Sequence, residues 1–72
     1  MSVKCKTAKG TKVEVAIMDD CGENKGGYYC EIYLNGIDDD PYDYFVIHKE
    51  ELTNGVSEEE LAKKYVSSIT DY

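Results

Sequence analysis

The sequence predicts an α+β domain of ββββα order, in which a four-stranded antiparallel sheet is covered on one face by one C-terminal helix. Three observations predict this fold. Four segments alternate apolar and polar residues with the period of two that is typical of half-buried strands. Polar segments containing glycine or proline separate these four segments and predict turns. A single stretch near the end of the chain has apolar residues at helical spacing.

The first two segments predict a β-hairpin. Residues 3–7, VKCKT, place valine, cysteine and threonine on one side and two lysines on the other. Residues 12–18, KVEVAIM, place two valines and an isoleucine on one face, so that Glu14 lies opposite a lysine of the first strand. Between them Gly10 is free to adopt the positive φ that a tight turn requires.

The third and fourth segments predict the other half of the sheet. Residues 28–34, YYCEIYL, show the best alternation in the chain, and residues 43–48, DYFVIH, form a fourth strand. Pro41 belongs to the loop between them because proline has no N–H to donate. Phe45 and Ile47 are the natural core pair of the fourth strand, although the opposite register remains open. The face away from the core then bears the lysines of the hairpin together with Tyr29, Glu31, Tyr33, Tyr44, Val46 and His48.

The helix is predicted over residues 56–69, VSEEELAKKYVSSI. Ser57 and Glu60 fit a capping box, and Val56 with Leu61 fits the hydrophobic staple around it. The three consecutive glutamates lie in the first turn, where the helix dipole favours anions, so their capping and dipole roles account for them. The apolar stripe consists of Leu61, Ala62, Tyr65, Val66 and Ile69.

The chain length predicts a single domain, residues 1–72, with a core near the lower size limit for folding without help. Dimerisation or a partner would add useful stability at this size. No apolar run approaches the roughly 18 residues needed to span a bilayer, and the first residues do not resemble a signal peptide. We therefore expect a cytoplasmic protein with no membrane association.

The net charge of −7 is unevenly distributed along the chain. Residues 1–18 have a net charge of +3, and residues 19–60 have thirteen carboxylates against two lysines. Phosphate binding needs cations, so direct binding of DNA or RNA is disfavoured. The acidic part of the chain should instead attract the basic surface of a protein partner.

An aspartate-rich loop, IDDDPYD, precedes the fourth strand. It lacks the spacing and glycine of a calcium-binding EF-hand loop, and consecutive aspartates tend to point apart rather than converge on one ion. The remaining interpretations are a solvated turn without a function and an acidic contact surface. A contact surface is favoured by the neighbouring tyrosines, and its residues are Asp38, Asp39, Asp40, Tyr42, Asp43 and Tyr44.

Seven tyrosines in 72 residues form the second candidate feature. Strand propensity and core filling explain some of them. They cannot all be interior, because alternation sends Tyr28 and Tyr29 to opposite faces of the sheet. Tyrosine is enriched in interfaces, where it offers a large contact area at low entropic cost. An exposed face that combines tyrosine with carboxylates would suit a partner rich in arginine and lysine.

The cysteines and the histidine predict no chemistry. Cys5 and Cys30 alternate with apolar strand residues and should be buried, whereas Cys21 should be exposed and all three thiols reduced. A Cys–His dyad with His48 would need an orienting group and an oxyanion hole, which the sequence does not suggest. A zinc site would need all four residues to converge by coincidence of folding. We expect no enzymatic activity and no cofactor or metal.

In length, acidity and absence of catalytic motifs, the whole chain resembles the small inhibitors that phages encode against host defences, including anti-CRISPR proteins and DNA mimics. The resemblance rests on no motif and assigns no residue a role. It implies an inhibitor of a basic, nucleic-acid-handling host protein, acting in the host cytosol.

The leading hypothesis is therefore a small acidic protein-binding module. The alternative is a structural or self-assembling homodimer that buries a tyrosine-rich face, and a metal-dependent module is a third option. The predicted partner-binding residues are Tyr29, Glu31, Tyr33, Asp38, Asp39, Asp40, Tyr42, Asp43 and Tyr44.

Overall fold

A computed structural model describes residues 1–34 and 36–69 and confirms the predicted α+β fold. Four antiparallel strands form one sheet in the order β1-β2-β3-β4, a simple meander with β1 and β4 at its edges. Two short 3₁₀ helices occupy Gly22–Asn24 and Lys49–Glu51. The main elements are β1 (Ser2–Lys6), β2 (Lys12–Asp19), β3 (Tyr28–Tyr33), β4 (Asp43–Ile47) and the helix α1 (Glu58–Ser67).

The β1–β2 hairpin forms as the alternation predicts. Lys4 lies opposite Glu14, which places unlike charges across the two strands. The turn closes with Gly10, whose φ of 89° only glycine adopts without strain, and its N–H donates to the carbonyl of Thr7 at 2.9 Å. The Thr7 hydroxyl is buried with its residue and accepts from the N–H of Thr11 at 3.2 Å.

The register between β3 and β4 answers the question that the sequence left open. Cys30 lies opposite Phe45, and Tyr28 lies opposite Ile47. Phe45 and Ile47 are buried, so the predicted core pair of the fourth strand is confirmed. Leu34, which continues the alternation of β3 by one residue, lies beyond the end of the strand and is 47% exposed.

The helix-covered face of the sheet, which we call the packed face, forms the core. Helix α1 contacts both edge strands, β1 and β4, and buries Ala62 and Val66 against the sheet. Tyr65 is partly exposed, yet its ring stacks on Phe45 with centroids 4.1 Å apart. The buried core consists of Val3, Val13, Val15, Ile17, Cys30, Ile32, Phe45, Ile47, Ala62 and Val66.

The N-terminus of α1 is capped as the sequence predicts. The Ser57 side chain accepts a hydrogen bond from the N–H of Glu60 at 3.2 Å, which satisfies one of the free donors of the first turn. Leu61 and Ile69 are partly buried and pack against the core, so the predicted stripe faces the sheet. The carbonyl of Ile69 also accepts from the N–H of Ala8, which ties the end of the helical segment to the β1–β2 turn.

A side-chain clamp at the far end of the sheet holds β4 in place. The Asn24 amide donates to Asp20 at 2.9 Å and to the carbonyl of Ile47 at 3.2 Å, and its oxygen accepts from the N–H of Lys49 at 3.0 Å. Gly27 passes beside this clamp so closely that a Cβ there would overlap the Ile47 carbonyl and the Asn24 amide. The clamp therefore links the β2–β3 connection to the end of β4.

Candidate functional site

The face of the sheet opposite α1, which we call the open face, has Glu31 at its centre. Tyr29 and Tyr33 are its neighbours two residues away along β3. Ala16 of β2 and Tyr44 of β4 lie directly opposite it on the adjacent strands. Because residues paired across strands share a face, one carboxylate is surrounded by three tyrosines and one small side chain. We call Tyr29, Glu31, Tyr33 and Tyr44 the tyrosine–glutamate cluster.

Hydrogen bonds orient the Glu31 carboxylate. The Tyr33 hydroxyl donates to Oε1 of Glu31 at 2.9 Å, and the Tyr29 hydroxyl donates to Oε2 at 3.5 Å, at the long limit for such a bond. A carboxylate offers about four acceptor positions, so one tyrosine on each oxygen leaves further positions for a ligand. Glu31 is therefore both oriented and able to accept from a partner.

The two outer tyrosines add aromatic surface to this carboxylate. The rings of Tyr29 and Tyr44 are 6.0 Å apart between centroids and are inclined by 37°. Tyr44 is 65% exposed, the largest exposed fraction among the tyrosines of the cluster, whereas Tyr29 is half-buried. The cluster thus presents exposed ring surface next to a fixed negative charge.

The pKa values of both hydrogen-bonding tyrosines are raised above their ordinary value. For Tyr33 the main cause is the hydrogen bond that its hydroxyl donates to Glu31, followed by desolvation, with a smaller contribution from Asp40. For Tyr29 the pKa is raised first by desolvation and then by the charge of Glu31. Both phenols consequently stay protonated at neutral pH and act as donors to the carboxylate.

The structure brings together four of the nine residues that the sequence assigned to partner binding. Among them Tyr33 is only 7% exposed, so it supports Glu31 rather than offering contact area of its own. Tyr42 packs against the hydrophobic core, and Asp43 lies opposite Ile32, which places both on the packed side of the sheet. Asp38, Asp39 and Asp40 are exposed in the loop between β3 and β4.

The sequence predicts His48 on the open face as well. It follows the end of β4, is exposed, and precedes the 3₁₀ helix Lys49–Glu51. It lies near Asp20, because the charge of His48 contributes to lowering the pKa of that carboxyl, after larger contributions from hydrogen bonds to Asn24 and Cys21. His48 therefore lies near Asp20, two residues beyond Val46 along the chain.

Three further residues border the cluster, namely Val46, which the sequence predicts on this face, and Ala16 and Met18, which sequence reasoning missed. Met18 and Val46 lie on either side of Tyr29 in the cross-strand register, and both are partly exposed on the open face. Ala16 lies directly opposite Glu31 and has the smallest side chain among the cross-strand neighbours of the cluster. Alternation in β2 is the signal that would have identified Ala16 and Met18.

A basic area lies on the open face near its β1 edge, where the β1–β2 hairpin carries several lysines. Lys6 lies directly opposite Lys12, a like-charge pair that is unfavourable by itself. These lysines border an open depression with a volume of about 450 Å³. It is lined by Lys4, Cys5, Lys6, Lys12, Val13, Glu14, Leu34 and Gly36.

Cys30 is buried and Cys21 is exposed as the sequence predicts, whereas Cys5 is only partly buried. Cys30 is buried, which raises the pKa of its thiol to about 11, and burial likewise raises the pKa of Cys5 although Lys63 opposes the shift. Both thiols are therefore protonated at neutral pH. Cys21 is exposed. Within residues 1–34 and 36–69, no group of three or more histidine, cysteine, aspartate or glutamate side chains is arranged to hold a metal ion.

Comparison with known proteins assigns no family. No protein-family model matches the chain. Searches of curated proteins and of solved structures also give no significant match. In the described part of the chain, no helix combines the length and apolar character needed to cross a membrane.

Proposed function

We propose that this chain is a non-catalytic protein-binding module that takes a basic partner on its open face and on the adjacent aspartate loop. The observation that supports this most directly is the Glu31 carboxylate, held between the hydroxyls of Tyr29 and Tyr33 on a face that α1 does not cover. An oriented charge needs no reorganisation when a cation arrives, which favours binding over a freely moving side chain.

The aspartate loop would add steering to this contact. Asp38, Asp39 and Asp40 are exposed, and Asp40 is near enough to the cluster to raise the pKa of Tyr33. Charges of this kind accelerate encounter with a basic surface and make it sensitive to salt. Tyr44 would supply the desolvated contact area that loop charges alone lack.

The finer part of the proposal is that the partner handles nucleic acid and is inhibited by losing access to it. A cationic groove that accepts a phosphate backbone would also accept the loop carboxylates. The open face by itself is a poor mimic of DNA, because Lys4, Lys6 and Lys12 share it with Glu14 and Glu31. Mimicry would therefore depend on the loop, and the cluster would determine where the partner docks.

Self-association through the open face is the second candidate function, and the exposed side chains of Met18, Tyr44 and Val46 on that face favour it. A two-fold axis passing near the middle of this face would bring two Glu31 carboxylates together without a cation. Burial of unpaired like charges is costly, so the geometry favours a basic partner over a second copy.

The proposal is tested by tagged capture from lysate at low and high salt, with two charge-matched triple variants. The first changes Asp38, Asp39 and Asp40 to asparagine. The control changes Glu23, Glu50 and Glu51 to glutamine, three exposed residues at the opposite end of the sheet. The parent and the control variant are expected to capture one basic protein at low salt. The first variant should not capture it, and high salt should abolish capture.

The captured protein would then be purified and its binding repeated in the presence of competing DNA or RNA. Competition would support inhibition of a nucleic-acid-handling protein. The proposal fails if the two triple variants behave alike, or if only the chain itself is recovered and ultracentrifugation shows a dimer.

A further inference from the structure

The surroundings of Glu31 are specific enough to define the chemistry of the group that binds there. The carboxylate lies between the hydroxyls of Tyr29 and Tyr33 along β3, which occupy one position on each oxygen. Its neighbour on β4 is Tyr44, whose ring is exposed, and its neighbour on β2 is the small side chain of Ala16. The Glu31 carboxylate therefore has an exposed ring on one side and a small side chain on the other.

A planar cation matches this arrangement better than a compact one. A guanidinium group can donate two parallel hydrogen bonds to a carboxylate while its face stacks on an aromatic ring. The ammonium group of lysine is a strongly hydrated point charge that cannot stack in this way. Tyr29 and Tyr44, with centroids 6.0 Å apart and rings inclined by 37°, border the carboxylate with two ring surfaces.

We propose that Glu31, Tyr29 and Tyr44 form a receptor for a single arginine side chain of the partner, with Tyr33 as a positioning residue that orients the carboxylate. This inference rests on the proposed function, since it names the group that the same face recognises. The arginine enters over Ala16 and Tyr44, its guanidinium pairs with Glu31, and its face stacks on Tyr44.

The basic area on the hairpin limits which partner residues can flank that arginine. Lys4 lies opposite Glu14, and Lys6 and Lys12 follow in the next row of the open face. A run of arginines extending toward β1 would meet these lysines and be repelled. The receptor therefore selects one arginine whose neighbours on that side are neutral or acidic, and it does not select a polybasic segment.

The test uses three octapeptides with one variable residue, which is arginine, lysine or citrulline, in an otherwise neutral sequence. Affinities are measured by NMR titration of the amide signals of the folded protein. The arginine peptide should bind about tenfold more tightly than the lysine peptide, because stacking and the second hydrogen bond are lost with lysine. The citrulline peptide should show no saturable binding, because it keeps the shape of arginine without its charge.

Variants assign the selectivity to the cluster. In E31Q and in Y44A, the affinity for the arginine peptide should fall to the affinity that the same variant has for the lysine peptide. Tyr33→Phe should weaken the preference partially, because the carboxylate stays but loses its orienting donor. The control is Glu14→Gln, which removes the same charge from the same face one row away and should leave the ratio of arginine to lysine affinity unchanged.

The outcomes separate this inference from the proposed function. Equal affinities for the arginine and lysine peptides, or an unchanged affinity ratio in E31Q, would overturn the arginine receptor. The proposed function would still stand if a basic partner is captured and its capture depends on the aspartate loop. Absence of binding to every peptide would overturn the receptor as well. If capture from lysate also fails, the proposed function falls with it.

Discussion

Glu31 and Ile32 are neighbours in β3, yet they face opposite sides of the sheet and play opposite parts. Ile32 is fully buried beneath α1 in the hydrophobic core. Glu31 lies on the open face, where two tyrosine hydroxyls donate hydrogen bonds to its carboxylate. One strand therefore contributes to the core through one face and to the proposed recognition surface through the other.

The largest effect should come from the packed face. Ile32→Ala should lower the free energy of unfolding by about 2–5 kcal/mol, because it removes a fully buried side chain and leaves a cavity. In a domain of this size that loss is enough to unfold most molecules. Val46→Ala on the open face is the control and should cost less than about 1 kcal/mol. Urea denaturation measures both free energies of unfolding. Similar losses for Ile32→Ala and Val46→Ala would contradict a division between the two faces.

A smaller loss of stability is expected at the Asn24 clamp, which holds the end of β4. Gly27→Ala should cost about 1–3 kcal/mol, because its Cβ would overlap the Ile47 carbonyl and the Asn24 amide. Gly22→Ala is a useful control, because a Cβ there meets nothing within 4 Å, although its φ of 65° is itself unfavourable for alanine. Thermal unfolding checks the ranking, and a Gly27→Ala protein as stable as the parent would show that the clamp does not restrain β4.

The smallest effect on stability should appear at alkaline pH on the open face. The pKa of Tyr33 is raised in the folded protein, so its contribution to stability is present below the ordinary tyrosine pKa and is lost as pH rises through the folded-state value. Glu31→Gln removes the main cause of the shift and should move the Tyr33 titration to lower pH. NMR of the tyrosine ring carbons measures it, and an unchanged titration would show that the carboxylate does not hold the hydroxyl.

Much of the fold could be predicted because it depends on local patterns. Alternation in residues 28–34 and 43–48 identified two strands, and the capping residues located the start of α1 at Ser57. The register of β4 depended on whether Phe45 or Tyr44 faced the helix, and only packing against Tyr65 and the core decides that.

The candidate site was less predictable, because it depends on tertiary contacts. Alternation correctly placed Tyr29, Glu31, Tyr33 and Tyr44 on one face. It could not show that Tyr33 is nearly buried, nor that Tyr42 turns to the core. The Asn24 clamp was also missed, because it joins residues more than twenty positions apart in the chain.

The most direct test of the account measures stability and partner capture together for two adjacent variants, Glu31→Gln and Ile32→Val. The account predicts that Ile32→Val loses about 0.5–1.5 kcal/mol of stability and still captures the partner. The free energy of unfolding of Glu31→Gln should lie within about 1 kcal/mol of that of the parent protein. This variant should nevertheless capture the partner poorly. A Glu31→Gln protein that binds as well as the parent would contradict the claim that the open face is the recognition surface.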